Sequence, residues 1–134
     1  MDWKIEVIVL PVSDVDRAKD FYADGLGFNV DLDDAISDGI RIVQLTPPGS
    51  ACSVTIGDGV TDMAPGSLRG LQVVVDDIEA ARGELVGRGV EVGEIFHYEG
   101  ADERPGKGGR WNSFFRLSDP DGNGWTVQER ASDG

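Results

Sequence analysis

Two segments of this chain carry the same pattern, and this repeat limits the possible folds more than any other feature. Residues 12–30 read V-S-D-V-D-R-A-K-D-F-Y-A-D-G-L-G-F-N-V, and residues 75–92 read V-D-D-I-E-A-A-R-G-E-L-V-G-R-G-V-E-V. Three positions recur at one constant offset: Val12, Asp14 and Ala18 return as Val75, Asp77 and Ala81. A repeat of about half the chain indicates two similar modules that must cover each other's apolar faces. We expect a cleft between two such sheets, and the functional site in that cleft.

Around the repeat, each half of the chain follows the same order of elements. Alternating apolar residues predict strands, and helical spacing after an acidic start predicts one helix in each half. We predict strands at residues 3–11, 39–46, 51–56, 71–75, 90–98, 114–117 and 125–129, with the second helix at 78–86. The polar loop Glu99–Gly109 is a candidate lid or edge. Each half then reads β-α-β-β-β, in one domain over 1–134 with module one at about 1–60 and module two at about 67–131.

Length and charge exclude several classes of function. At 134 residues the chain is large enough for a real core, and its formal net charge is −13. Nucleic acid and anionic membranes attract the opposite sign, so neither is expected as a partner. Cys52 is the sole cysteine, and the start of the chain lacks a basic segment followed by an apolar run. We therefore expect a protein of the reducing cytoplasm.

Three stretches carry a resemblance to a known superfamily. They are V-S-D-V-D-R-A-K-D-F-Y-A-D-G-L-G-F, V-V-V-D-D-I-E-A-A-R and S-D-P-D-G-N-G-W-T-V-Q-E, and they span both halves. The chain resembles the vicinal-oxygen-chelate superfamily, which includes glyoxalase I, extradiol dioxygenases, fosfomycin-resistance enzymes and bleomycin-resistance proteins. The resemblance implies an α+β fold of two paired βαβββ modules, each a curled half-barrel sheet around a cleft. It also implies a homodimer.

In metal-using members of this superfamily, His, Gln or Glu ligands come from four strand positions. The resemblance carries these positions onto Val7, Ser53, Gly70 and Thr126. None of these residues offers the imidazole, carboxylate or thiolate that a divalent transition metal prefers. The resemblance therefore implies a member without a metal site, and we predict neither metal nor cofactor.

The residues expected to face the cleft follow from strand alternation. If Val7 faces it, so does Val9, and Ser53 is expected opposite about Gln44 across a hairpin. Trp111 follows a glycine-rich loop and is the favoured stacking residue, although it fits the rim of a dimer interface equally well. The predicted ligand-binding set is Val7, Val9, Gln44, Ser53, Gln72, Tyr98, Trp111, Phe115 and Thr126. Such a mainly apolar lining with a few amides and hydroxyls suits a planar organic ligand.

These observations favour metal-independent binding of a hydrophobic or aromatic small molecule, with antibiotic sequestration and resistance as one form of it. The alternative is a metal-independent lyase, isomerase or cyclase of the same fold. Acid–base chemistry would then fall to Tyr98, His97 or Glu129. A third possibility is an accessory module without ligand chemistry. The sequence leaves open whether the protein is an enzyme.

Overall fold

The computed structural model describes residues 1–130, which form two compact units. Met1–Leu68 and Asp119–Asn123 make up the first unit, and Arg69–Ser118 with the chain from Gly124 onward makes up the second. The predicted end of module two, near residue 131, lies outside the described residues, and the single-domain organisation stays a prediction. No helix in residues 1–130 is long and apolar enough to cross a membrane.

The first unit contains a four-stranded sheet and one helix. Its elements are β1 (Val7–Val9), α1 (Val15–Asp20) continuing into a π-helical turn (Phe21–Gly25), β2 (Asn29–Ser37), β3 (Ile40–Thr46) and β4 (Ser53–Asp58). The strand order is β1-β4-β3-β2, with β1 parallel to β4 and the other pairs antiparallel. Alternate residues of β3 and β4 meet the helix, so Val43, Leu45, Ile56, Ala18 and Tyr22 are all fully buried.

The second unit contains a five-stranded sheet and one helix. Its elements are β5 (Arg69–Val75), α2 (Ile78–Gly87), β6 (Phe96–Glu99), β7 (Asp102–Pro105), β8 (Phe114–Ser118) and β9 (Gly124–Glu129). The strand order is β5-β9-β8-β6-β7, and only the β5–β9 pair is parallel. The core on the α2 side is formed by Ile78, Leu85, Phe115, Leu117, Trp125 and Val127.

The repeated aspartates explain why a helix begins at the same point of each module. Asp14 precedes α1 and accepts a hydrogen bond from the Arg17 backbone N–H at 3.1 Å. Asp77 precedes α2 and accepts from the Ala80 backbone N–H at 3.0 Å. Each carboxylate satisfies a donor that the first helical turn leaves unpaired, which is the usual action of an N-cap. The repeat in the sequence is therefore a repeat of helix starts.

A short segment between β8 and β9 completes the first unit. The Asp119 carboxylate accepts the Tyr22 hydroxyl at 2.7 Å and the Asn123 amide at 2.8 Å. Asn123 also donates to the Pro11 carbonyl at 2.8 Å and accepts from the Leu68 backbone N–H at 3.1 Å. Asp119 and Asn123 are buried, so these bonds replace water at polar groups that would otherwise be costly to bury.

The predicted α+β class is confirmed: two helices and two open sheets of four and five strands occur in residues 1–130. Three elements differ from the prediction. No range was predicted for strand β2, although the order β-α-β-β-β requires a strand after the first helix. The strand expected at 3–11 is paired only at Val7–Val9, and the strand expected at 90–98 only at Phe96–Glu99. The polar segment Glu99–Gly109, predicted as a lid or an edge, contains strand β7, which pairs with β6 as a hairpin and forms the edge of the sheet.

Candidate functional site

The sheet of the second unit has one face that α2 does not cover, and we call it the open face. Register places two rows of side chains on it, because paired residues of neighbouring strands point to the same side. The first row is Gln72, Thr126 and Arg116, and the second is Val74, Gln128, Phe114 and Phe96. Tyr98 joins the second row because it lies two residues beyond Phe96 on β6.

Three aromatic rings form a cluster at the β6–β8 side of the open face. The Phe96 and Phe114 rings stack with centroids 5.5 Å apart and an angle of 23° between their planes. Tyr98 meets Phe114 edge-on at 5.4 Å and Phe96 edge-on at 5.6 Å. None of the three rings is fully buried. Exposed or half-exposed aromatic surface of this kind can stack on a flat organic molecule.

Arg116 lies against this aromatic cluster. Its guanidinium carbon is 4.4 Å from the centroid of Phe96, a cation–π distance. Its Nη2 donates to the Tyr98 hydroxyl at 3.1 Å, and its Nη1 pairs with the Glu103 carboxylate at 2.6 Å. The open face therefore combines apolar rings with the guanidinium of Arg116.

Two glutamines connect the rows to Trp111. Gln72 Nε2 donates to Gln128 Oε1 at 2.6 Å, and Gln128 Nε2 donates to the Trp111 carbonyl oxygen at 2.7 Å. Trp111 has a φ of 58°, the left-handed region that residues other than glycine seldom adopt. Its side chain is 48% exposed. The Gln128 amide thus contacts the backbone of Trp111, whose left-handed conformation costs backbone energy. Such backbone strain is often found at functional sites.

The other predicted residues of the second unit lie elsewhere. Phe115 is fully buried on the α2 side of β8, so it does not share a face with Tyr98, Gln72 and Thr126. His97 points away from the cluster, with Nδ1 at 2.9 Å from the Gly106 carbonyl and Nε2 at 3.3 Å from Glu99. The Gly106 carbonyl and then the Glu99 carboxylate raise the pKa of His97. Glu129 accepts the backbone N–H of Ile78 at 3.0 Å, so it serves the start of α2.

The predicted residues of the first unit lie on the face of its sheet opposite α1. Register pairs Val7 with Ser53, and Val9 with Thr55. Gln44 is paired with Thr55 rather than with Ser53, which corrects the predicted pairing across the hairpin. The Ser53 hydroxyl lies 2.6 Å from the Thr46 hydroxyl instead. Val7, Val9, Gln44 and Ser53 thus share a face, with Ser53 nearly buried within it.

The residues at the four carried-over ligand positions do not fit a metal ion. Val7 offers only methyl groups, Gly70 has no side chain, and the Ser53 and Thr126 hydroxyls are poor ligands for divalent transition metals. Within residues 1–130, no three His, Cys, Asp or Glu side chains come together in a way that could hold a metal ion.

Several members of the open face were missing from the predicted ligand-binding set. Arg116 and Glu103 were not considered, and the four residues of the second row were not assigned to it: Val74, Gln128, Phe114 and Phe96. A signal for Arg116 was available, because it alternates with Phe115 and Leu117, which are both apolar. A charged residue between two core residues of a strand must lie on the face opposite the core.

Comparison with known proteins supports this description of the fold. A model of the Glyoxalase/Bleomycin resistance protein/Dioxygenase superfamily matches residues 4–127. The solved structure of TnmS3, an antibiotic binding protein from Streptomyces sp. CB03234, is 33% identical, covering 97% of this chain and 98% of that chain, with a TM-score of 0.76. A glyoxalase/bleomycin resistance protein from the same organism is 35% identical over 93% and 99% of the two chains, with a TM-score of 0.72.

A third solved structure is more distant in sequence. A member of the same superfamily from Sphaerobacter thermophilus DSM 20745 is 28% identical, covering 96% of this chain and 98% of that chain, with a TM-score of 0.74. No curated protein matches the chain. The superfamily match covers nearly the whole sequence. The chain therefore belongs to the Glyoxalase/Bleomycin resistance protein/Dioxygenase superfamily.

Proposed function

We propose that this protein binds a planar hydrophobic or aromatic organic molecule and does not convert it, and that the ligand is an antibiotic. The observation that carries the proposal is the partly exposed aromatic cluster of Phe96, Tyr98 and Phe114, bordered by amides, a hydroxyl and the Arg116 guanidinium. The similarity to a protein described as antibiotic binding supports the choice of ligand class. Resistance by sequestration would follow from such binding.

The affinity would come from burying apolar surface against the rings. Burial stabilises a complex by roughly 25 cal/mol per Å² of apolar surface removed from water. Stacked or edge-on aromatic contacts add about 0.5–1.5 kcal/mol each. Trp111 is positioned by Gln128 and offers a large exposed ring, so we include it as a second stacking surface. Gln72 and Thr126 are the groups that would orient polar atoms of the ligand.

Binding without conversion is favoured by the contacts of the candidate acids and bases. Glu129 accepts a backbone N–H at the start of α2 and lies 3.4 Å from Lys107. His97 is held by Gly106 and Glu99, away from the aromatic cluster. Of the three acid–base candidates, only Tyr98 lies on the open face. A single phenol can donate a hydrogen bond to a ligand without catalysing a reaction.

We also propose that the protein acts as a homodimer. Trp3 and Ile5 are 89% and 75% exposed, and they alternate with polar residues ahead of β1, so they present one apolar side. A second copy of the chain would cover this side, since exposed apolar rows are typical of interfaces. Light scattering at micromolar concentration should give twice the 14.4 kDa mass of the chain, and a mass of one chain would refute the dimer.

Titration of intrinsic tryptophan fluorescence with bleomycin and with planar polycyclic antibiotics tests the binding function. At least one compound should quench the signal saturably and be recovered unchanged by mass spectrometry. Trp111→Ala should weaken its binding by about 1–3 kcal/mol, and Trp111→Phe by less because a ring remains. Val86→Ala, an exposed apolar change on α2, is the matched control and should leave affinity unchanged. Recovery of a converted product, with conversion lost in Tyr98→Phe, would establish an enzyme instead.

A further inference from the structure

We propose that the ligand carries a negatively charged oxygen group at the edge of its ring system, and that Arg116 is the residue that selects it. This inference rests on the proposed function, because it names the chemical class of ligand for the same open face. It follows from the position of the guanidinium, from the hydrogen-bond donors around it, and from the carboxylate that now occupies it.

The position of Arg116 joins the apolar and polar parts of the open face. Its guanidinium carbon lies 4.4 Å from the Phe96 ring centroid, so the charge is held beside the aromatic cluster. Its register partner on β9 is Thr126, and the next residue across, on β5, is Gln72. A flat molecule stacked on the rings would therefore place one edge along a row of polar groups, with the guanidinium at the aromatic end of that row.

The donors at this end of the row suit an anionic oxygen. Arg116 has five N–H donors and no acceptor, and it can pair bidentately with a carboxylate or sulfonate. Nη2 donates to the Tyr98 hydroxyl oxygen at 3.1 Å. Because that oxygen accepts from a cation, the Tyr98 proton remains to be donated to another acceptor. Two donors of different type thus converge beside the rings.

Glu103 is the group that an anionic ligand would replace. Its carboxylate pairs with Arg116 Nη1 at 2.6 Å, and the two side chains are 47% and 53% exposed. Exposed ion pairs of this kind contribute little to stability, so exchange for a ligand oxygen costs little. Glu103 lies on β7, the outermost strand of the sheet, where movement of the side chain disturbs no further strand. The pair therefore shows how an oxyanion would be bound at Arg116.

The test uses two fluorescent probes that differ only by one anionic sulfonate group. The probe 8-anilinonaphthalene-1-sulfonate carries an anionic sulfonate, and N-phenyl-1-naphthylamine has the same rings without it. In the full chain, Arg116→Gln should weaken sulfonate binding about tenfold or more, as expected for hydrogen bonds to a charged group. The neutral probe should change by no more than about twofold, the usual range of surface substitutions. Arg116→Lys, which keeps the charge but loses the planar fork, should fall between Arg116→Gln and the unmodified protein.

Glu103→Gln gives a prediction of opposite sign. Removing the competing carboxylate should strengthen sulfonate binding and leave the neutral probe unchanged. Arg88→Gln and Glu84→Gln make the same charge changes at an exposed pair on α2, and neither should alter either probe selectively. These controls correct for the general effect of a net charge of −13 on an anionic probe.

The outcomes separate this inference from the proposed function. Binding of the neutral probe, with no selective loss of the sulfonate in Arg116→Gln, would overturn the inference and leave the binding function in place. A Glu103→Gln change that weakens both probes would also overturn it, since Glu103 would then be needed to hold Arg116 in position. Failure of both probes and of every antibiotic tested would overturn both proposals.

Discussion

Asn123→Ala should be among the most destabilising single substitutions in this chain. The side chain is fully buried and makes three hydrogen bonds: to the Pro11 carbonyl, to the Asp119 carboxylate, and from the Leu68 backbone N–H. Two are bonds between neutral groups, worth about 1 kcal/mol each, and the bond to the carboxylate is worth about 1.5–3 kcal/mol. The sum is about 3.5–5 kcal/mol, a large part of the roughly 5–15 kcal/mol that holds a domain folded.

Urea denaturation followed by circular dichroism and by tryptophan fluorescence measures this loss. Tyr22→Phe removes only the hydroxyl that donates to Asp119, so its effect should be smaller, about 1.5–3 kcal/mol. Asn29→Ala is the matched control, because the side chain of this exposed asparagine donates a hydrogen bond to the Asp31 carboxylate at the surface. It should cost less than about 0.5 kcal/mol. If Asn123→Ala proved as mild as the Asn29 control, the buried hydrogen bonds around Asp119 would not hold the first unit together.

Three further predictions concern titration and metals. The pKa of His97 is raised above 6.5 in the folded protein, so the stability contributed by the protonated imidazole should be complete below pH 6.5 and lost as pH rises through the folded-state pKa. NMR titration should show a lower His97 pKa in Glu99→Gln, and an unchanged pKa would count against the Glu99 contact. The Arg41 and Lys19 side chains hold the pKa of the Asp33 carboxyl well below its usual range. The stability lost in Asp33→Asn should therefore be constant above about pH 5 and shrink as pH falls below 3.8, which urea denaturation at several pH values measures. A loss of stability that vanished near neutral pH would contradict this. Dialysis against a chelator should leave the melting temperature and probe binding unchanged. Elemental analysis finding about one transition metal ion per chain would contradict the conclusion that Val7, Gly70 and Thr126 do not fit a metal ion.

The repeat predicted two similar modules because it marks helix starts, which depend on local chemistry, whereas the α+β class followed from the resemblance to a known superfamily. Asp14 and Asp77 cap their helices through bonds spanning only three residues, so the repeat marks both helix starts, although the capping pattern had been predicted one residue earlier, at Ser13 and Asp76. The range of strand β2 was not predicted because its segment N-V-D-L-D-D-A-I-S is rich in aspartate, which is uncommon in strands. Asp33 is accommodated there by Arg41 and Lys19, partners that become visible only in the tertiary structure.

The candidate site was only partly predictable, because a strand presents alternate residues to opposite faces. Tyr98, Gln72 and Thr126 were predicted together and lie on the open face, with the predicted Trp111 tied to it through Gln128. On β8 the sequence F-F-R-L offers two adjacent phenylalanines, and the choice of Phe115 rather than Phe114 selected the buried face. An offset of one residue reverses every side chain of a strand, and periodicity alone does not say which face is covered.

The segment Asp119–Asn123 also sets an order of events during synthesis. It belongs to the first unit, yet its bonds to Tyr22 and Pro11 span 97 and 112 residues. A ribosome that has made all of β1 to β4 has therefore not yet made the groups that satisfy the Tyr22 hydroxyl and the Leu68 N–H in the native unit. Contacts of such long sequence separation slow folding, because the chain must close a large loop before they form. We expect a chain stopped at Ser118 to remain sensitive to protease throughout its first 68 residues, and a longer chain from which residue 123 has emerged to be resistant there.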